Sequence, residues 1–238
     1  MKKIIILLAI LVYFLSCDTI HAQSEFIYYE QGKIKSENKD YQGAIADYNK
    51  AIEINPNYFE AYNDRGNAKG NLGNNQAAIA DFDNAIGINP EYFPAYYNRG
   101  VAKKNLGDRQ GAIADFDKAV EYNPKYADAY YNRGVTKYEL GEKQAAIADF
   151  NKATDINPEF ISAYYNRGIV QQDLGNMKEA IADYNNAIVI NPSFAKAYYN
   201  RGIVKAILND IKSACLDWKK AIDLGFKDIN NFIEKYCK

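Results

Sequence analysis

Pro56, Pro90, Pro124, Pro158 and Pro192 stand 34 residues apart, and Gly32, Gly66, Gly100, Gly134, Gly168 and Gly202 keep the same step. Ala51, Ala85, Ala119, Ala153, Ala187 and Ala221 follow it, as do the aromatics Tyr48, Phe82, Phe116, Phe150, Tyr184 and Trp218. A fixed period of this length forces an array of repeated units rather than one compact globule. Six units are expected, at 25–58, 59–92, 93–126, 127–160, 161–194 and 195–228, with a capping helix at 227–238.

Each unit reads as two helices. In the third, Pro94 suits a first-turn position and opens a helix to Asn105. Gly107 supplies the positive φ of a helix C-terminus, a second helix covers Arg109 to Tyr122, and Asn123-Pro124 stops it. Gly100, Ala112 and Ala119 are small where helices must approach, and Phe116 fills the space they leave.

Tyr96, Arg99-Gly100, Lys103, Ala112, Phe116 and Pro124 resemble the tetratricopeptide-repeat (TPR) pattern of aromatic, Leu-Gly, Tyr, Ala, Phe and Pro. Arg replaces the usual Leu throughout, and Lys, or Gln171 in one unit, replaces the usual Tyr. The resemblance implies an all-α, right-handed α-solenoid of six TPR helical hairpins. It also implies a concave groove, lined by first helices, that takes peptide segments.

The repeated AYYNRG separates into parts. Arg65, Arg99, Arg133, Arg167 and Arg201 match an aspartate series on the second helices, Asp81, Asp115, Asp149, Asp183 and Asp217, preceded by Asp47. Antiparallel hairpins place each aspartate level with the arginine of its own unit, of the next, or both. A partly buried structural ladder is the expectation, because the guanidinium fork can donate to both carboxylate oxygens. Solvated surface pairs are the plain alternative, and acid–base catalysis by these carboxylates lacks companion groups.

The second tyrosine and the asparagine point away from the packing face, toward the concave side. Tyr97, Tyr131, Tyr165 and Tyr199 form one row and Asn98, Asn132, Asn166 and Asn200 another. Val101, Val135, Ile169 and Ile203 add an apolar third row; Tyr29 begins the first row, which Asn63 interrupts, Glu30 and Asp64 precede the second, and Lys33 and Asn67 start the third polar. Amides can hold an extended peptide backbone and tyrosine adds contact area with few rotatable bonds, so these twelve residues are candidates for peptide or partner contact. The alternative is that they pack between units and tidy local backbone. TPR domains that clamp acidic chaperone tails use Lys and Asn at these positions, so Tyr97 and Val101 do not carry that specificity over.

Lys2 and Lys3, the apolar run Ile4 to Leu15 and the polar residues after it read as a secretory leader over 1–22, cut after Ala22. Phe14-Leu15-Ser16-Cys17 also resembles a lipobox, which would put a lipid on Cys17; an uncut anchor is the third option. The expected location is exported, periplasmic or envelope-associated, and the membrane enters only through that lipid. Losing 1–22 removes the only histidine, His21, and leaves 27 basic and 29 acidic residues of the original 29 and 30. A near-neutral chain without a basic block gives no footprint for nucleic acid. No motif indicates a cofactor, metal or small-molecule substrate, and the chain does not read as an enzyme.

In the sixth unit Asn209 replaces the turn glycine, and Ile229, Phe232, Ile233 and Tyr236 give the capping helix one apolar face. Cys215 and Cys237 lie equidistant from the turn at Phe226, so a hairpin brings them level and a disulfide is expected. Free thiols and a redox-active pair are the alternatives. The function expected is a non-catalytic interaction scaffold for a protein or peptide ligand, or else a structural subunit of a self-associated or larger envelope assembly.

Overall fold

A computed structural model describes residues 24–226 together with Ile233, Tyr236 and Cys237. The expected leader, with Cys17 and His21, and most of the expected capping helix lie outside the described residues. Twelve helices and no strand occur among those described. They are α1 (24–37), α2 (Tyr41–Ile54), α3 (Phe59–Asn71), α4 (Asn75–Ile88), α5 (Phe93–Asn105), α6 (Arg109–Tyr122), α7 (Ala127–Glu139), α8 (Lys143–Ile156), α9 (Ile161–Asp173), α10 (Met177–Ile190), α11 (Ala195–Ile207) and α12 (Ile211–Asp223). Consecutive helices pair as hairpins, three in a unit ending at Tyr122 and three in a unit beginning at Asn123.

The turn inside the second to fifth hairpins is built on a glycine, and Lys39 takes that place in the first, at φ 63°. At Gly107, φ is +85°, and the N–H groups of Leu106, Gly107 and Asp108 return to the Ala102, Lys104 and Lys103 carbonyls. Asn209 does the same work at φ 64°, since asparagine tolerates the left-handed region better than most side chains. Between hairpins the Asn-Pro pair does more than stop a helix. The Asn157 side-chain oxygen accepts the Glu159 N–H at 3.0 Å, and Asn191 accepts from Ser193 at 2.9 Å, an Asx turn that a bare helix breaker would not form.

Close approach fixes the pairing of helices. A Cβ on Gly100 would lie 2.8 Å from the Phe116 ring, and one on Gly202 would lie 2.5 Å from the Trp218 indole. Within each unit the later hairpins then bury their first helix on the second helix before it. In the first unit Ala68 packs on Ala44 and Tyr48. In the second, Val170 packs on Ala146 and Phe150, and Val204 on Ala180 and Tyr184. The core is thus a repeated sandwich of alanines around one aromatic per hairpin.

The last hairpin is closed by its neighbourhood. Trp218 is 1% exposed, with Phe226, Ile233 and Cys237 packed on its cluster. Cys215 and Cys237 are joined by a disulfide with Cα atoms 5.6 Å apart.

Candidate partner-binding site

The arginines and aspartates occupy the inside of the hairpins. Asp115 receives Nε of Arg99 at 3.0 Å and Nη2 at 2.6 Å, a two-pronged pair within one hairpin. The same pairing joins Arg65 to Asp81, Arg133 to Asp149, Arg167 to Asp183 and Arg201 to Asp217. The carboxylates are only 3–6% exposed and the guanidinium groups 14–18%, so these are buried pairs, not solvated ones.

A reach from arginine to the aspartate of a neighbouring hairpin is not what links the hairpins. The Nη1 edge instead meets Asn49 from Arg65, Asp83 from Arg99, Asn151 from Arg167 and Asn185 from Arg201, at 2.5–2.7 Å. Each of these lies two residues beyond the preceding aspartate. Asp81 and Asp149 have both oxygens taken, because their own arginine and a lysine occupy them: Arg65 and Lys69 on Asp81, Arg133 and Lys137 on Asp149. The same arginine–lysine pair meets Asp115 and Asp217.

This explains the lysine that departs from the TPR pattern. It offsets part of the charge that burial leaves on the carboxylate. Where Gln171 stands instead, burial pushes the Asp183 carboxyl above its ordinary range, against the opposing pull of Arg167. The first hairpin has Gln31 in place of arginine, and Asp47 meets Lys35 at 2.6 Å and Lys50 at 3.8 Å. The first tyrosine of AYYNRG carries the guanidinium on its face: Arg99 sits 5.4 Å above the Tyr96 ring centre. The aromatic against the glycine is therefore the second-helix residue Phe116, and Tyr96 meets Tyr122 within the hairpin.

All twelve candidate contact residues are half-buried. The tyrosines pack with one side. Tyr97 meets Phe116, Tyr131 meets Phe150 and Phe160, Tyr165 meets Tyr184 and Phe194, and Tyr199 stacks on Phe226. Val135, Ile169 and Ile203 lie against these same clusters, and Val101 lines a cavity beside Phe82.

The asparagines are not loose. Asn166 donates its amide to the Tyr131 hydroxyl at 2.8 Å, and Asn200 donates to Tyr165 at 3.0 Å. In the fifth and sixth hairpins the two rows are therefore joined by rungs, each tying the asparagine of one hairpin to the tyrosine of the hairpin before. Asn98 makes the corresponding bond to Asn63, and Asn132 donates to the Asp128 carbonyl. In the first hairpin the acidic variant appears, with Tyr29 donating to Asp64 at 2.8 Å. The side-chain oxygens of Asn166 and Asn200 accept no bond among the described residues and are not sealed from solvent. Each is an oriented acceptor whose donor end is already fixed.

Among the described residues no cluster of side chains could hold a metal ion, and no helix is long and apolar enough to cross a membrane.

Profiles described as tetratricopeptide repeat match residues 59–92, 127–160 and 161–194, and one described as TPR repeat matches 27–73 and 105–141. A crystal structure of MamA protein is 30% identical, over 74% of this chain and 96% of that one, with a TM-score of 0.64. The chain belongs to the tetratricopeptide-repeat family. A TPR protein from Parabacteroides merdae is 24% identical over 89% of this chain and 82% of its own, with a TM-score of 0.61. YrrB, described as a TPR protein with an unusual peptide-binding site, is 23% identical over 79% of this chain and 97% of its own, with a TM-score of 0.68. At these identities the last two show the fold alone. No curated protein sequence matches this TPR chain.

Proposed function

We propose that this TPR protein is a non-catalytic interaction scaffold that holds peptide segments or partner proteins along the first-helix rows, in an exported, envelope-associated setting. The observation that carries the reading is the pair of acceptors on Asn166 and Asn200. Each amide is anchored through Nδ2 to a tyrosine of the preceding hairpin, which leaves Oδ1 to accept an N–H from an extended backbone. Val135, Ile169 and Ile203 place apolar surface one turn further on. A solved relative described as having a peptide-binding site is consistent with this use of the fold. The leader-like residues 1–22 and the Cys215–Cys237 bridge support export.

Replacing Asn132, Asn166 and Asn200 together by Ala should lower capture of partner proteins from a native envelope extract. Capture undiminished by a folded triple variant would refute the row as the contact.

A second reading has its own observation. Ile27 and Ile34 on α1 are 52% and 57% exposed, whereas the matching Ala61, Ala163, Ala68 and Val204 are fully buried on a preceding hairpin. An unpaired stacking face suits a structural subunit, lipid-anchored or not, that self-associates. Light scattering across a concentration series separates the readings, because self-assembly requires mass growth without any partner.

A further inference from the structure

Three cavities open at one register of the repeat, beside the aromatic of the second helix, and their linings differ. In the first hairpin the lining includes Lys33, Glu37 and Asp64. Between the second and third hairpins it is made of amides: Asn67, Asn71, Asn75, Asn98 and Asn105. In the sixth it is apolar, with Ile203, Ala206, Ile207 and Ile211. In the fourth hairpin the long side chain of Tyr138 fills the same place, packed on Ala146 and Phe150, with its hydroxyl on Asp173 at 2.5 Å.

The amide cavity, about 190 Å³, is held open by a residue the fold does not need. Gly70 stands in the last turn of α3, at the register of Lys104, Tyr138, Gln172 and Ala206. Its φ is not positive, and an added Cβ would meet only Ala78, at 3.9 Å. A glycine inside a helix costs about 0.5–1 kcal/mol against alanine, and neither packing nor backbone conformation requires it here. The amides around it are largely unspent. Asn71 donates to the Asn67 carbonyl and Asn98 to Asn63, while the side chains of Asn67, Asn75 and Asn105 make no hydrogen bond among the described residues.

Unspent donors and acceptors with no ionised group in the wall suit a neutral group that both donates and accepts. A carboxylate or ammonium entering there would lose water without gaining a counter-charge. A sugar ring would want an aromatic face, and Phe82 is only 2% exposed. The geometry points to this cavity as a specificity pocket for a glutamine or asparagine side chain of a bound peptide, paired amide to amide with Asn67, Asn75, Asn98 and Asn105. This rests on the scaffold reading above and adds the side chain that the second and third hairpins select.

The test uses the full chain without its leader and capped alanine–serine nonapeptides with a central Gln, Glu or Leu. Binding is followed through the side-chain amide NMR signals of the asparagines. The Gln peptide should move the signals of Asn67, Asn75, Asn98 and Asn105, and the Glu and Leu peptides should bind about tenfold more weakly or not at all. Gly70→Tyr, which copies the fourth hairpin, should fold and lose the Gln preference. Asn67→Val, which copies the third and fourth, should reduce it.

Equal binding of the Gln and Glu peptides, or an unchanged Gln preference in Gly70→Tyr, overturns the pocket. Central-residue-independent shifts confined to Asn166 and Asn200 would also overturn it while leaving the scaffold reading intact. If no peptide moves any pocket amide at millimolar concentration, the pocket is wrong. Envelope capture by the Asn132, Asn166 and Asn200 triple variant then judges the scaffold reading separately.

Discussion

The second and third hairpins and the fourth to sixth hairpins share the same inside and differ on the same outer face. Both regions bury an arginine–aspartate pair and a glycine–aromatic contact in every hairpin. On the face beside them the earlier region has Asn63, Asn67 and Gly70 in the second hairpin and Tyr97, Val101 and Lys104 in the third, whereas the later one shows tyrosine, Val or Ile, and Tyr138, Gln172 or Ala206 throughout. The electrostatic frame tolerates almost no variation because each member is buried and would otherwise be left unpaired. The face is half-exposed and free to vary, so it is where two repeats of one fold can come to recognise different chemistry.

Breaking the frame should cost the most, and about equally in both regions. Arg99→Met and Arg133→Met each leave a nearly buried carboxylate with lysine alone, and each should destabilise by about 3–4 kcal/mol in urea unfolding. A difference of several-fold between them would mean that the two regions do not share one frame. The last hairpin has an added tie. Cys215→Ser should cost roughly 3 kcal/mol, and free-thiol counting on denatured, unreduced wild-type protein should find none.

Glycines sharpen the contrast further. Gly100→Ala drives a methyl into Phe116 and should cost about 1–3 kcal/mol. Gly70→Ala, in the same helix position of no other hairpin, should instead raise stability by about 0.5–1 kcal/mol. Thermal unfolding of the two variants side by side checks the sign.

The smallest effect is a charge effect. Burial raises the Asp183 carboxyl above its unfolded value, so the folded state binds that proton more readily. Its contribution therefore weakens stability as pH rises from the ordinary carboxylate range through the raised folded value. Gln171→Lys restores the lysine present in the other four arginine-bearing hairpins and should stabilise by about 1 kcal/mol near pH 7. That gain should shrink on going from pH 7 to an acidic buffer, as Asp183 becomes protonated. Denaturation curves for both proteins at the two pH values decide it, and a gain independent of pH would show that the lysine acts through packing.

The architecture was legible because a period repeats its evidence: the proline, glycine, alanine and aromatic steps all fix the same helices. Turn glycines and the pairing of Arg with Asp followed from hairpin geometry. The cross-hairpin rungs did not, since Tyr131–Asn166 and Tyr165–Asn200 join residues 35 apart. A search for identity at 34 sees two separate rows and misses the bond between them. The lysine on Asp81, Asp115, Asp149 and Asp217 was visible only as a departure from the family pattern, and its partner emerges only when the second helix is folded back. The amide cavity was hidden for another reason: Gly70 reads as a weak spot in a helix until its surroundings show that nothing presses on it.

The forked arginine has a mechanical consequence. Arg65 stands sixteen residues after Asn49 and sixteen before Asp81, and it holds both. Within each unit, peeling one hairpin from the next therefore pulls on the same side chain that locks the peeled hairpin shut. Opening between hairpins and opening within one are coupled events. Fraying should thus stop at hairpin boundaries, with amide exchange lost in blocks of one repeat rather than residue by residue.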